Sequence, residues 1–228
     1  MNIFLSFFVE SLPLHFTSLS NNFLIQQLVQ LINYLSSHPS MSSSSRYGQL
    51  ILGDSESIEG NKRRTNTRIH EVFISFRGKD TRASFTSHLY SSLQNAGISV
   101  FRDDDSLQRG DHISTSLIRA IEESQISVII FSTNYAESLW CLEELNKIMS
   151  CHRTKGQVVL PVFYGVDPSE VRHQTGEFGK AFENRWDNPN RVVLDKATED
   201  MRLKKIVKLR KIFLQASSFA GFVVLNSR

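Results

Sequence analysis

The sequence predicts a single α/β domain built on an open, doubly wound parallel sheet of four or five strands. Three observations carry this. Short apolar runs alternate with longer stretches of helical spacing from residue 70 to about residue 218, which is how successive βα units read. The runs are too apolar to have a wet face: Ile126-Ser-Val-Ile-Ile-Phe131 contains only Ser127 as a polar residue, so helices must cover both sides. The chain has 228 residues, 40% hydrophobic and 21% charged, which suits one domain with tails.

Residues 1–40 hold one charged side chain, Glu10, and no Lys or Arg. A secretory leader opens with positive charge, so the stretch is a poor leader. Glu10, Pro13, His15 and Gln26-Gln27 break its apolar runs below the length of a membrane span. Phe23, Leu24, Leu28, Leu31, Ile32 and Leu35 recur at helical spacing. Two readings follow. One is a helix that touches a membrane or a partner. The favoured one is an upstream extension, unfolded or lying ahead of an alternative start at Met41. Residues 41–69 are rich in Ser, Gly, Asn and basic residues and read as a linker. Lys62-Arg63-Arg64 within it reads as a solvated charge run before a nuclear signal.

The regular pattern begins at residue 70. Val72–Ser75 is a strand, and Thr81–Gln94 a helix with Phe85, Leu89, Tyr90 and Leu93 on one side. Ile98–Phe101 is a strand, and the polar 102–112 stretch, with four aspartates and Gly110, a loop. Ser114 or Thr115 caps a helix to Glu123, and Ile126–Phe131 is the third strand. Ser138 caps a helix to about Cys151, Val158–Phe163 is the fourth strand, and Asp167-Pro168 marks a turn. Glu177–Arg185 and Arg202–Ser218 close the list as helices.

In such a sheet, ligands sit beyond the carboxyl ends of the strands. Arg77 and Gly78 after the first strand, the 102–112 loop after the second, and the segment from Ser132 to Trp140 after the third therefore share one rim. At about 100° per residue, Glu144 falls between Trp140 and the apolar arc of Leu142, Leu145, Ile148 and Met149. Glu143 falls on the opposite side, beside Lys147. A carboxylate on the apolar border is partly desolvated, which strengthens its field, so Glu144 is the candidate and a boundary glutamate the plain alternative. Arg77 and Arg82 flank Gly78, where a backbone without Cβ lets a ligand approach and two guanidinium groups suit a pyrophosphate.

Other chemistries are disfavoured. A net charge of +3 is too weak to argue for nucleic acid or membrane. Cys141 and Cys151 lie on one predicted helix and point different ways. No metal site is expected: Asp103-Asp104-Asp105 does not fit a calcium loop, and His112, His152 and His173 lack partners at ligand spacing. Neither G-x-x-x-x-G-K-S/T nor G-x-G-x-x-G occurs. Cys141 reads as a small buried hydrophobe, with an accessory role open because it lies near a helix N-terminus.

Residues 70–186 resemble the Toll/interleukin-1 receptor (TIR) domain of plant immune receptors, the TIR-type nucleotide-binding, leucine-rich-repeat family. The resemblance rests on Val72–Arg82, Leu107–Gly110, Ala120–Glu123, Ser132–Ala136, Trp140–Leu145, Pro161–Pro168 and Gln174–Gly179, in order along the chain. It implies a flavodoxin-like sheet of about five strands and a division into an uncertain extension (1–40), a linker (41–69), the TIR domain (70–221) and the start of a further linker (222–228). A TIR-only or truncated receptor is the implied product.

Members of the family cleave NAD+ at the nicotinamide–ribose bond. The resemblance assigns catalysis to Glu144 and nucleotide contact to Arg77, Gly78, Arg82 and Trp140, with Cys141 as a possible accessory and NAD+ as substrate rather than cofactor. It implies self-association and binding to other TIR proteins, through Ser87-His88 on the first helix and through the last helix with Gly221. The 102–112 loop is expected to be ordered by that assembly. A cytoplasmic location, with the nucleus also open, is the expected setting. A non-catalytic adaptor that works only by binding other TIR proteins is the alternative. The chain departs from the family at Lys79, where an acidic residue is usual, at Leu209, where Trp is typical, and at Ile212-Phe213, where Ala-Leu is.

Overall fold

A computed structural model describes residues 21–38, 70–102, 115–186 and 196–224. The linker, the loop from 103 to 112 and the acidic triplet lie outside the described residues. Five parallel strands form one sheet in the order β2-β1-β3-β4-β5: β1 Val72–Phe76, β2 Val100–Arg102, β3 Ile126–Phe131, β4 Val158–Tyr164 and β5 Phe222–Val224. β1, β3 and β4 are in register over their lengths, with Val72 opposite Ile126 and Ile126 opposite Val158. The order reverses at β1, so ligand-binding loops are expected above β1 and β3.

Side chains alternate between the two faces. Phe73, Ile129, Phe131, Val159 and Phe163 enter one core. Val72, Ile74, Phe76, Val128, Ile130, Leu160 and Val162 enter the other. The first core receives α4 Thr115–Glu123, α5 Leu139–Lys155, α7 Gly176–Trp186 and α8 Lys196–Ala216. It contains an aromatic group in which Phe213 meets Phe178 and Phe182 edge-on at 5.3 and 6.0 Å between ring centres. Leu209, Ile212 and Phe213, the departures on the last helix, all lie buried in this core, so they alter how the helix packs on the sheet rather than what it shows outward.

Element ends follow local chemistry. The Ser138 hydroxyl accepts from the Cys141 amide at the start of α5. Gly156 (φ 67°) ends that helix in the left-handed region, its amide bonding to the His152 carbonyl. Asp167 accepts from the Ser169 amide and Pro168 occupies the first position of α6 Pro168–His173, so the expected turn is also a helix start. The helix after β1 is broken. A short α2, Gly78–Thr81, runs into a π-helical segment Arg82–Thr86 before α3 Ser87–Asn95. Ser84 sits at φ −131°, ψ −108°. Thr86 donates to the Thr81 hydroxyl at 2.8 Å and Ser87 donates to the Arg82 carbonyl. These hydroxyls compete with the helix ladder, which accounts for the kink.

Two expectations need correction. Residues Asn21–Ser37 are not an unfolded extension. They form α1, a helix on the spacing seen in the sequence, with Ile25, Leu28, Val29 and Ile32 buried in the second core. The sheet also continues past the boundary drawn at 221, because β5 pairs with β4, Val162 opposite Phe222. A three-residue strand is too short for periodicity to reveal.

Candidate active site

Glu144 is on the second turn of α5, and its side chain enters the first core beneath the carboxyl end of β1. It is 3% exposed, deeper than the border position that helix periodicity predicts. A buried carboxylate needs a donor, and Ser75 of β1 supplies one: its hydroxyl donates to Glu144 Oε2 at 2.5 Å. Ser75 Oγ also lies 2.8 Å from the Tyr135 hydroxyl, which is 3.1 Å from the Cys141 carbonyl. Two hydroxyl protons thus serve three contacts. With the Ser75 proton on Glu144, the Tyr135 proton is shared between Ser75 Oγ and the Cys141 carbonyl. Burial pushes the Tyr135 phenol well above its ordinary range, and Cys141 and Glu144 push it further. It stays a neutral donor.

Above Glu144 is a cavity lined by Ile74, Phe76, Arg77, Gly78, Arg82, Ser138, Trp140, Cys141 and Glu144. The structure therefore brings together all the predicted catalytic and substrate-contacting residues from two separate segments. The Arg82 guanidinium lies over the Phe76 ring, 5.0 Å from its centre, held there by the π-helical kink. Among the described residues the buried Arg77 Nε and Trp140 Nε1 have no acceptor, so there two N–H donors at the cavity retain bonding capacity for an acceptor-rich ligand. Cys141 is buried, its thiol 3.4 Å from the Phe76 carbonyl, as expected for a small hydrophobe.

Asp80 fixes the rim. Its carboxylate accepts from the Ser132 hydroxyl at 2.6 Å, the Asn134 amide at 2.9 Å and the Asn134 side chain at 3.0 Å. The loop after β1 is thereby tied to the loop after β3. Sequence reasoning did not single out Ser75, Tyr135 or Asp80. Ser75 carried a signal: it is the one polar residue in the apolar run Val72–Phe76. Lys147, expected beside Glu143, pairs with Glu122 of α4. Among the described residues no group of His, Cys, Asp or Glu is placed to hold a metal ion.

The TIR domain profile matches residues 69–195. The chain belongs to the TIR domain family. Disease resistance protein RPV1 of Vitis rotundifolia is 47% identical over 165 residues, 71% of this chain and 11% of that protein. TMV resistance protein N of Nicotiana glutinosa is 55% identical over 114 residues, 50% of this chain and 10% of that protein. The chain thus spans about a tenth of the length of these curated relatives. Among solved structures, the TIR domains of the activated Roq1 resistosome, which recognises the pathogen effector XopQ, superpose with a TM-score of 0.59 at 41% identity. That match covers 69% of this chain and 89% of the Roq1 chain.

The TIR domain places the residues expected at its association faces as follows. Ser87 is half-buried and His88 exposed at the start of α3. Gly221 is exposed immediately before β5, but a Cβ there would lie 2.7 Å from Pro161 Cγ and collide with the Pro161 carbonyl. A fold requirement alone therefore demands glycine at 221. No helix among the described residues is long and apolar enough to cross a membrane.

Proposed function

We propose that this TIR domain hydrolyses NAD+ at the nicotinamide–ribose bond when it self-associates, and that it signals in plant immunity. The observation that carries the reading is the buried Glu144, bonded to Ser75 and lining one cavity with Arg77, Gly78, Arg82 and Trp140. Loss of nicotinamide leaves an oxocarbenium-like ribose, which a fixed, buried carboxylate stabilises. Ser75 holds that carboxylate in place. Arg77 and Arg82 meet the pyrophosphate, and Trp140 walls the base or ribose. Relatives named as disease resistance proteins and a resistosome neighbour support the immune setting and the association.

The 103–112 stretch expected at this rim lies outside the described residues, and completion of the site for a nucleotide is the step assigned to association. The second reading is an adaptor with an idle pocket, which works only by binding other TIR proteins. Nicotinamide release by the purified chain, at high concentration with a crowding agent, decides between them. Glu144→Gln, which keeps an acceptor for Ser75, is expected to lose at least about 100-fold in rate. No release from folded, associated protein supports the adaptor. Equal release from both chains rejects Glu144.

A further inference from the structure

We propose that Asp80 is a positioning residue: it locks the loop after β1 to the loop after β3, so that Arg77 and Arg82 on one side and Trp140 on the other grip a nucleotide as one site. The inference deepens the reading above and rests on it. Asp80 is in the first turn of α2, whose leading residue Arg77 is extended (φ −87°, ψ 110°) and makes no side-chain cap. A carboxylate there ordinarily folds back on the amides of its own helix. That of Asp80 reaches across the mouth instead. Oδ2 accepts from the buried Ser132 hydroxyl at 2.6 Å and from the Asn134 amide at 2.9 Å, and Oδ1 accepts from the Asn134 side chain at 3.0 Å. Bonds to a charged acceptor are the stronger kind, and here they all come from one loop. Among the described residues Asp80 is not part of the cavity lining, so it acts through its neighbours.

Each loop carries part of the lining. Arg77, Gly78 and Arg82 adjoin Asp80 on one, and Asn134 leads to Ser138, Trp140 and Cys141 on the other. The second path is a chain of hydrogen-bonded turns. The Tyr135 amide donates to the Ser132 carbonyl at 3.0 Å, the Glu137 amide to the Asn134 carbonyl at 3.2 Å and the Ser138 amide to the Tyr135 carbonyl at 3.2 Å. Ser138 then caps α5, so a shift at Asn134 is passed on to Trp140. Glu144 is held separately. Ser75 donates to it from within β1, and β1 is fixed by its pairing with β3, Ser75 opposite Ile129. Cutting the Asp80 tie therefore lets the nucleotide-contacting groups part and leaves the carboxylate in place. Contacts made equally in the ground and transition states are then lost, which raises KM and spares kcat. Ser75→Ala is the contrasting case, because it frees the carboxylate itself.

The test measures nicotinamide release by the full chain, with KM and kcat resolved, and affinity for ADP-ribose by calorimetry, which needs no turnover. Protein samples are matched for association by sedimentation velocity. Asp80→Ala is expected to raise KM and weaken ADP-ribose binding, each by about tenfold, with kcat little changed. Asp80→Asn keeps an acceptor for Ser132 and the Asn134 amide, and is expected to recover most of the loss. Ser132→Ala cuts the tie from the other loop. It is expected to raise KM as well, and both substitutions together to raise it no further than Asp80→Ala alone. If Asp80→Ala does not fold, Ser132→Ala carries the same split between KM and kcat. Unchanged KM and ADP-ribose affinity overturn the proposal. So does a fall in kcat with both unchanged, and so does a loss that Asp80→Asn fails to recover. No cleavage by any chain, with ADP-ribose binding still weakened in Asp80→Ala, overturns the hydrolase reading and upholds the tie. Neither cleavage nor ADP-ribose binding in the parent chain overturns both.

Discussion

The contact between Ser75 and Glu144 decides what the site can do. A carboxylate 3% exposed needs hydrogen-bond donors to keep its position, and the Ser75 hydroxyl is one at 2.5 Å. Ser75→Ala is expected to slow nicotinamide release by about tenfold or more, because Glu144 loses its orientation. Stability should fall by about 1 kcal/mol, the worth of one buried hydrogen bond. Steady-state kinetics and chemical denaturation check the two effects separately. Ser75→Thr retains the hydroxyl and is expected to recover much of the stability. A variant with unchanged kinetics would remove Ser75 from the reaction. Arg77 and Trp140 act differently. Their buried N–H groups lack acceptors among the described residues, so their substitution is expected to bear on ligand affinity more than on the fold.

At the scale of elements, the short β5 depends on a single backbone approach. Gly221 lies where any Cβ meets Pro161 of β4, directly before the pairing of Val162 with Phe222. Gly221→Ala is therefore expected to release β5 and lower protection at Phe222–Val224, seen by hydrogen exchange, before any effect on association appears. Protection equal to that of the parent chain would mean that β4 shifts to make room. The sequence revealed most elements, because β1, β3 and β4 are apolar runs of five or more residues and the α5 and α6 starts carry Ser138 and Asp167-Pro168. It did not reveal β5, which has too few residues for a pattern. The packing of α1 was equally hidden, since helical spacing shows an apolar face but not what covers it. At the site, helix periodicity picked Glu144 over Glu143 correctly as the inward carboxylate. The hydroxyl pair Ser75 and Tyr135, 60 residues apart, becomes one network only when β1 lies beside β3.

For the whole molecule, the two faces of the sheet divide the work. Glu144, Ser75 and Tyr135 belong to one core, and α1 with α3 to the other. The cavity touches both, because Ile74 and Phe76 of β1 line it and pack in the core that holds α1. The buried phenol adds a pH limit on stability. Tyr135 titrates well above its ordinary value in the fold and near about 10 when unfolded. Its contribution is complete below about pH 10 and is lost as pH rises toward the folded value. Tyr135→Phe is expected to flatten this alkaline loss in thermal melts between about pH 9 and 11, at the cost of the hydrogen bonds to Ser75 and Cys141. The chain has two tryptophans. The Trp186 N–H is bonded to the Ala136 carbonyl at 2.9 Å, and Lys205 lies 4.8 Å from its ring centre. Trp140 instead lines the cavity, its N–H without an acceptor among the described residues. The molecule thus carries its own optical reporter: with Trp186→Phe, the remaining emission comes from the cavity wall, and its quenching or colour shift titrates whatever enters there, whether or not any bond is broken.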